Sequence, residues 1–154
     1  MLPAVVVCLA AALNGEAQAP VDVASRAKGA GKIVVATVKS VESRFEVNPF
    51  GDQLILSDMT LQVHETLRGA AIPSLVVTIE GGTVGDLKLE VSDIPILRPG
   101  DRAVFLLNER GPDSDSYLPH QRGLGILKLD AANRIEDSNL TLDDVRRALP
   151  ATAR

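Results

Sequence analysis

The residues that could carry chemistry are few. The chain holds two histidines, His64 and His120, and a single cysteine, Cys8. A hydrolase needs a nucleophile, a base and an oxyanion or metal site held together, and a zinc site needs three or four His, Cys or carboxylate ligands. His64 belongs to an alternating run from Asp58 to Glu65. Met59, Leu61 and Val63 point one way; Asp58, Thr60, Gln62 and His64 point the other. That puts His64 on the wet face of a strand, an ordinary place for a histidine. His120 follows Pro119 in a loop with no His or Cys beside it. A hydrolase or metal-dependent site around His64 or His120 would therefore have to be assembled by the fold, because no spacing in the chain supplies it. Neither a G-x-S-x-G elbow nor an H-E-x-x-H helix occurs.

Three weaker patterns have simpler readings. Asp113-Ser114-Asp115 echoes a calcium loop but lacks the glycine and terminal glutamate of an EF-hand, which leaves a solvated loop. Gly81-Gly82-Thr83-Val84-Gly85 has the glycines of a phosphate cradle. No Lys-Ser/Thr pair and no helix pattern follow, so a strand-to-strand turn accounts for them. Asn139-Leu140-Thr141 is a glycosylation sequon only in a eukaryotic secretory route. No catalytic set, cofactor or metal is expected.

What remains is binding, and loops are its usual place. The candidates are Asn48, Phe50 and Asp52 in one loop, Gly82, Thr83 and Asp86 in a second, and Asp113 and Asp115 in a third. Nucleic acid is excluded on composition. Single-strand binding wants a basic groove and stacking aromatics. This chain has net charge −4 and four aromatic residues, Phe45, Phe50, Phe105 and Tyr117, with Phe105 in a core run.

The elements that must position these loops are mostly strands. Val21–Lys28 fits two helical turns, with Val23, Ala24 and Ala27 on one face and Gly29 and Gly31 as stops. Ile33–Phe45 is rich in β-branched residues, apolar on both faces at its start and half exposed later. Asn48–Asp52 turns it into the alternating strand described above, forming a long hairpin. Leu75, Val77 and Ile79 mark a third strand. Leu87, Leu89 and Val91 mark a fourth, with Lys88, Glu90 and Ser92 facing water. Ala103–Leu107 is an unbroken apolar run of buried-strand length. Tyr117-Leu118 reads as a short edge piece and Gly125–Leu129 as another strand.

The C-terminal helix has a specific start signal. Thr141 and Asp144 have the spacing of a capping box, Leu140 and Val145 that of a hydrophobic staple, and Pro150 stops the helix. The expectation is an all-β fold: a small antiparallel OB-like barrel of six to seven strands with a short N-terminal helix and a C-terminal helix. A β-sandwich is the alternative.

At the N-terminus, the apolar stretch Leu2–Leu13 precedes Asn14-Gly15-Glu16 and then Ala17-Gln18-Ala19, the layout of a secretory signal peptide. It is shorter than the roughly 20 apolar residues of a membrane span. Residues 1–19 are thus expected to be removed, residues 20–138 to form the barrel domain, and residues 139–154 the C-terminal helix and tail. The mature chain would have no cysteine, no disulfide and no integral membrane span, as suits a periplasmic or extracellular bacterial protein.

Gly31–Ser43, Leu61–Gly69, Gly81–Gly85 and Leu97–Leu107 follow one another in a recurring order. In that layout the chain resembles uncharacterised exported bacterial proteins with an OB-like barrel, of the netrin and tissue-inhibitor-of-metalloproteinase type. The resemblance covers roughly Val21 to Leu129 and implies fold more than function. It does not carry inhibition over. Those inhibitors use a mature N-terminal cysteine, and here the expected mature start is Pro20. The expected function is a non-catalytic extracytoplasmic module whose partner is an envelope or secreted protein, a peptide or a glycan.

Overall fold

The computed structural model describes residues 21–150. The expected signal peptide, 1–19, lies outside the described residues. Within them the fold is mostly β, and among them no helix is long and apolar enough to cross a membrane.

Helix α1 (Val23–Ala27) is short. Asp22 caps it by accepting from the Ser25 N–H at 3.0 Å, and Val23 and Ala27 are buried. Strands β1 (Lys32–Val47) and β2 (Gln53–Arg68) form the expected long hairpin. Beyond it, β3 (Ser74–Glu80) pairs antiparallel with β2. A two-stranded ribbon follows, β4 (Gly82–Val84) and β5 (Leu87–Leu89), and then β6 (Arg102–Glu109) pairs with the start of β1. The chain ends with β7 (Ser116–Pro119), a 3₁₀ turn (Arg122–Gly125), β8 (Ile126–Leu129) and α2 (Leu142–Ala148).

The main sheet has the order β1-β2-β3-β7-β6-β8, and β6 also pairs with β1, so five of its strands close into a ring. Closure sets aside the sandwich alternative. Three expectations are corrected here. The sheet is not wholly antiparallel, because β7 runs parallel to β3. Tyr117-Leu118 is no edge piece: β7 lies between β3 and β6 and completes the ring. Leu87, Leu89 and Val91 do not form a fourth strand of the main sheet. Only Leu87–Leu89 is strand, paired with β4 in the separate ribbon, and Leu87 is exposed. Gly81 and Gly82 break the strand line between β3 and β4, and a turn between short strands needs no inward-facing register.

β7 and β8 share one edge of β6, taking Leu107–Glu109 and Arg102–Phe105 respectively. They amount to one strand interrupted by the 3₁₀ turn. Two cores result. Inside the ring, Val34, Ala36, Met59, Leu61, Val77 and Phe105 pack together. On its outer side, Ile33, Val35, Val104, Leu106 and Leu127 are covered by Val23 and Ala27 of α1 and by Leu142 and Val145 of α2. The first half of β1 and all of Ala103–Leu107 are therefore buried on both faces, as their unbroken apolar runs required. At α2 the capping box forms as expected. Thr141 accepts from the Asp144 N–H, and the Asp144 carboxylate accepts from the Thr141 N–H at 2.8 Å. Leu140 and Val145 both join the outer core.

Candidate functional site

β1 has two halves. From Lys32 to Thr37 it lies between β2 and β6. Its last contact on the β6 side is at Val38, whose N–H donates to the Asp101 carbonyl at 2.9 Å while its carbonyl accepts from the Gly100 N–H at 2.8 Å. A register shift after Val38 bends the strand, and the hairpin from residue 39 to 57 projects past Arg102, where β6 begins. There β2 is the only strand partner of β1 among the described residues.

The inner face of this projection is covered by the segment that follows β3. Ser57 is buried, and its hydroxyl donates to the Gly81 carbonyl at 2.6 Å and contacts the Ser43 hydroxyl at 2.8 Å. Ser43 in turn accepts from the Thr83 N–H at 3.3 Å. The approach explains Gly82. Its φ is +137°, and a Cβ there would collide with both serine hydroxyls. Further along, Arg122 holds Asp93 with two bonds, at 2.7 and 3.2 Å, and Glu80 at 3.4 Å. The guanidinium keeps the Asp93 carboxyl below the usual carboxylate range. Gly123 supports this pin, because a Cβ there would overlap the Asp93 backbone carbonyl. Leu97 returns into the ring core.

Between the hairpin and this strapped segment lies a groove of about 660 Å³. Val41, Ile79, Val91, Ile94 and Leu97 supply apolar lining, Ser43 and Ser57 a polar floor, and Glu80, Lys88, Glu90 and Arg98 the charge. Lys88 is paired with Glu90 and Glu80 with Arg122. Arg98 is exposed and forms no ion pair among the described residues. Ile96, also in the lining, is 59% exposed. A concave apolar site with a few fixed polar groups is the usual form of a ligand site.

The outer face of the hairpin is braced differently. Glu46 accepts from Arg110 at 2.6 Å and from Arg44 at 3.0 Å, Arg44 also pairs with Asp58, and Asp58 accepts from Thr78 at 2.6 Å. The chain of polar groups ties the projecting β1 directly to Arg110, the residue that follows β6, and across β2 to Thr78 of β3.

Of the eight loop residues expected to bind, Gly82 and Thr83 line the groove. The other six do not. Asn48 and Asp52 are engaged in their own turn, where the Asn48 Oδ1 accepts from the Phe50 and Asp52 N–H groups at 2.9 Å each, leaving Phe50 fully in solvent. Asp86 is exposed at the tip of the ribbon, and Asp113 and Asp115 are exposed in the β6–β7 loop. That loop follows Arg110, which donates to Glu46 on the outer face of the projecting hairpin at 2.6 Å, and none of its residues lines the groove. Ser43, Ser57 and the 94–98 wall escaped the sequence reading. The available signal was Ile94, Ile96 and Leu97, apolar residues set among prolines where a plain loop would be polar.

The histidines hold structure. His64 Nε2 lies 2.7 Å from the Thr37 hydroxyl on the strand surface. His120 Nδ1 is 2.9 Å from the Asn108 amide nitrogen and Nε2 2.7 Å from the Lys28 carbonyl. The Asn108 oxygen accepts from the Gly31 N–H at 2.8 Å, so its nitrogen donates to Nδ1 and the His120 Nε2–H donates to Lys28. His120 thus fastens the loop after α1 to the ring. Among the described residues no group of three His, Cys, Asp or Glu could hold a metal ion. No protein-family model matches the chain, and no curated protein matches it.

Proposed function

We propose that this chain is an exported, non-catalytic binding module with an OB-like barrel, acting in the periplasm or outside the cell, and that its ligand site is the groove between the projecting β1–β2 hairpin and the 81–98 segment. The observation that carries the reading is the groove itself. Its wall is strapped down by Arg122, Gly123 and Gly82, yet Ile96 and the Arg98 guanidinium are left open to solvent within it. A segment that only connected β3 to β6 would gain nothing from holding apolar and cationic groups open beside a cavity. The ring order supports the OB-like reading, because the third strand lies parallel to the last strand that closes the ring. Export rests on the apolar run and the Ala17-Gln18-Ala19 site.

The test is affinity capture from the envelope fraction with the wild type and with Ile96→Glu and Leu89→Glu, which place charge in the groove. The reading expects a stoichiometric partner, protein or glycan, that both variants lose. A blank, or a partner retained equally by the variants, overturns it. For export, N-terminal sequencing of the chain from that fraction should begin at Pro20, and a chain found only in the cytoplasm with an intact N-terminus contradicts it.

A further inference from the structure

The alternation of β1 gives the groove a chemical direction. Asn48 N–H donates to the Asp52 carbonyl across the hairpin at 2.9 Å, so the even-numbered residues before it, Glu46, Arg44 and Glu42, turn their backbone groups toward β2. The residues between them, Val41, Ser43, Phe45 and Val47, turn theirs the other way. On the far side of Val38 that direction is filled by β6; from residue 41 to 47 no strand of the described residues fills it. An edge about 20 Å long, with four N–H and four C=O groups, is thus unpaired. Val41 and Ser43 of this edge line the groove, and Phe45 and Val47 continue it in exposed form.

We infer that the groove takes an extended polypeptide segment, which adds to β1 as a strand beside Val41–Val47 and places a carboxylate on Arg98. This rests on the groove being the ligand site. The backbone edge selects a polypeptide, because only another backbone repeats donors and acceptors at strand spacing. Running antiparallel to β1, the segment lies in line with β6 and its C-terminal end approaches residues 98–101, where Gly100 and Asp101 meet Val38. Alternate side chains then face the apolar lining at Ile94, Ile96 and Leu97. The others lie along the outer row of Glu42, Arg44 and Glu46. Among the described residues Arg98 is the groove cation without a carboxylate of its own, whereas Lys88 already has Glu90, so the incoming end is anionic.

A display library of random peptides selected against the full chain tests this. Enriched peptides should alternate apolar and polar residues and carry an acidic group. Arg98→Gln should weaken them about tenfold, and re-measuring them with amidated C-termini assigns the carboxylate to the terminus or to a side chain. N-methylation should abolish binding at one alternate set of backbone positions and spare the other. Phe45→Pro, which removes one outward N–H at an edge where proline is tolerated, should weaken binding at least about tenfold more than Phe45→Ala does. Peptides indifferent to the methylation pattern, or bound equally by Phe45→Pro and Phe45→Ala, overturn strand addition while leaving the groove as the site. Failure to enrich any peptide overturns the peptide reading, while the groove itself stands or falls on the envelope capture with Ile96→Glu and Leu89→Glu. Dimers in sedimentation that Phe45→Pro dissociates make the occupant a second copy and overturn the peptide reading.

Discussion

The two halves of β1 are one continuous strand with opposite fates. Residues 32–38 have a strand on each side, a core on each face, and no exposed apolar side chain. Residues 41–47 have one strand neighbour among the described residues, an inner face half covered by β4 and the groove, and exposed Phe45 and Val47. The same propensities make both halves strand. Burial on both faces makes the first a scaffold, and a missing neighbour makes the second a surface with something left to pair. Scaffold and site can thus be perturbed separately.

The largest difference should come from matched truncations of aromatic residues. Phe105 is fully buried inside the ring, and Phe105→Ala should cost about 3–5 kcal/mol. Phe45→Ala, on the projecting half, should cost less than about 0.5 kcal/mol. Urea denaturation of both variants measures this, and similar losses would erase the division. Next in size is Gly82→Val, which drives a side chain into the Ser43 and Ser57 hydroxyls from a backbone conformation valine resists. A loss of about 1–3 kcal/mol is expected. Groove binding should fall further than stability, because the ribbon lifts while the ring stays closed.

How far the sequence shows this division depends on the range of the signal. Strand positions, the doubly buried Ala103–Leu107 run and the Thr141–Asp144 cap are local patterns, and each was legible. The place of Tyr117 in the ring was not, because it depends on β3 and β6 lying one strand's width apart, a distance no local pattern encodes. The groove was half legible. Gly82 and Thr83 stood out as glycine-rich loop, but Ser43 and Ser57 are ordinary strand residues whose role appears only when Gly81 reaches them. Asp113 and Asp115 were attractive for their charge alone, and the fold leaves them outside the groove lining.

Smaller effects belong to the cap that holds α2 over the outer core. Thr141→Ala should cost about 1 kcal/mol by thermal unfolding. The Thr141 backbone and hydroxyl, with Arg147, lower the Asp144 pKa from its ordinary 3.8 to about 2. The unfolded chain therefore takes up that proton first. The stabilisation is complete above about pH 4 and is lost as the pH falls through about 2. Asp144→Asn should flatten this part of the acid-unfolding curve and leave groove binding unchanged; an unchanged curve would show that the carboxylate adds nothing.

The most direct measurement is residue-resolved amide hydrogen exchange along β1 by NMR. The account predicts uniform protection from Ile33 to Val38. Beyond the bend it predicts alternation, with Glu42, Arg44 and Glu46 slow against β2 and Val41, Ser43, Phe45 and Val47 fast on the open edge. Equal protection of both sets would mean that something already pairs with that edge, and the free chain would then have no open strand to offer a ligand.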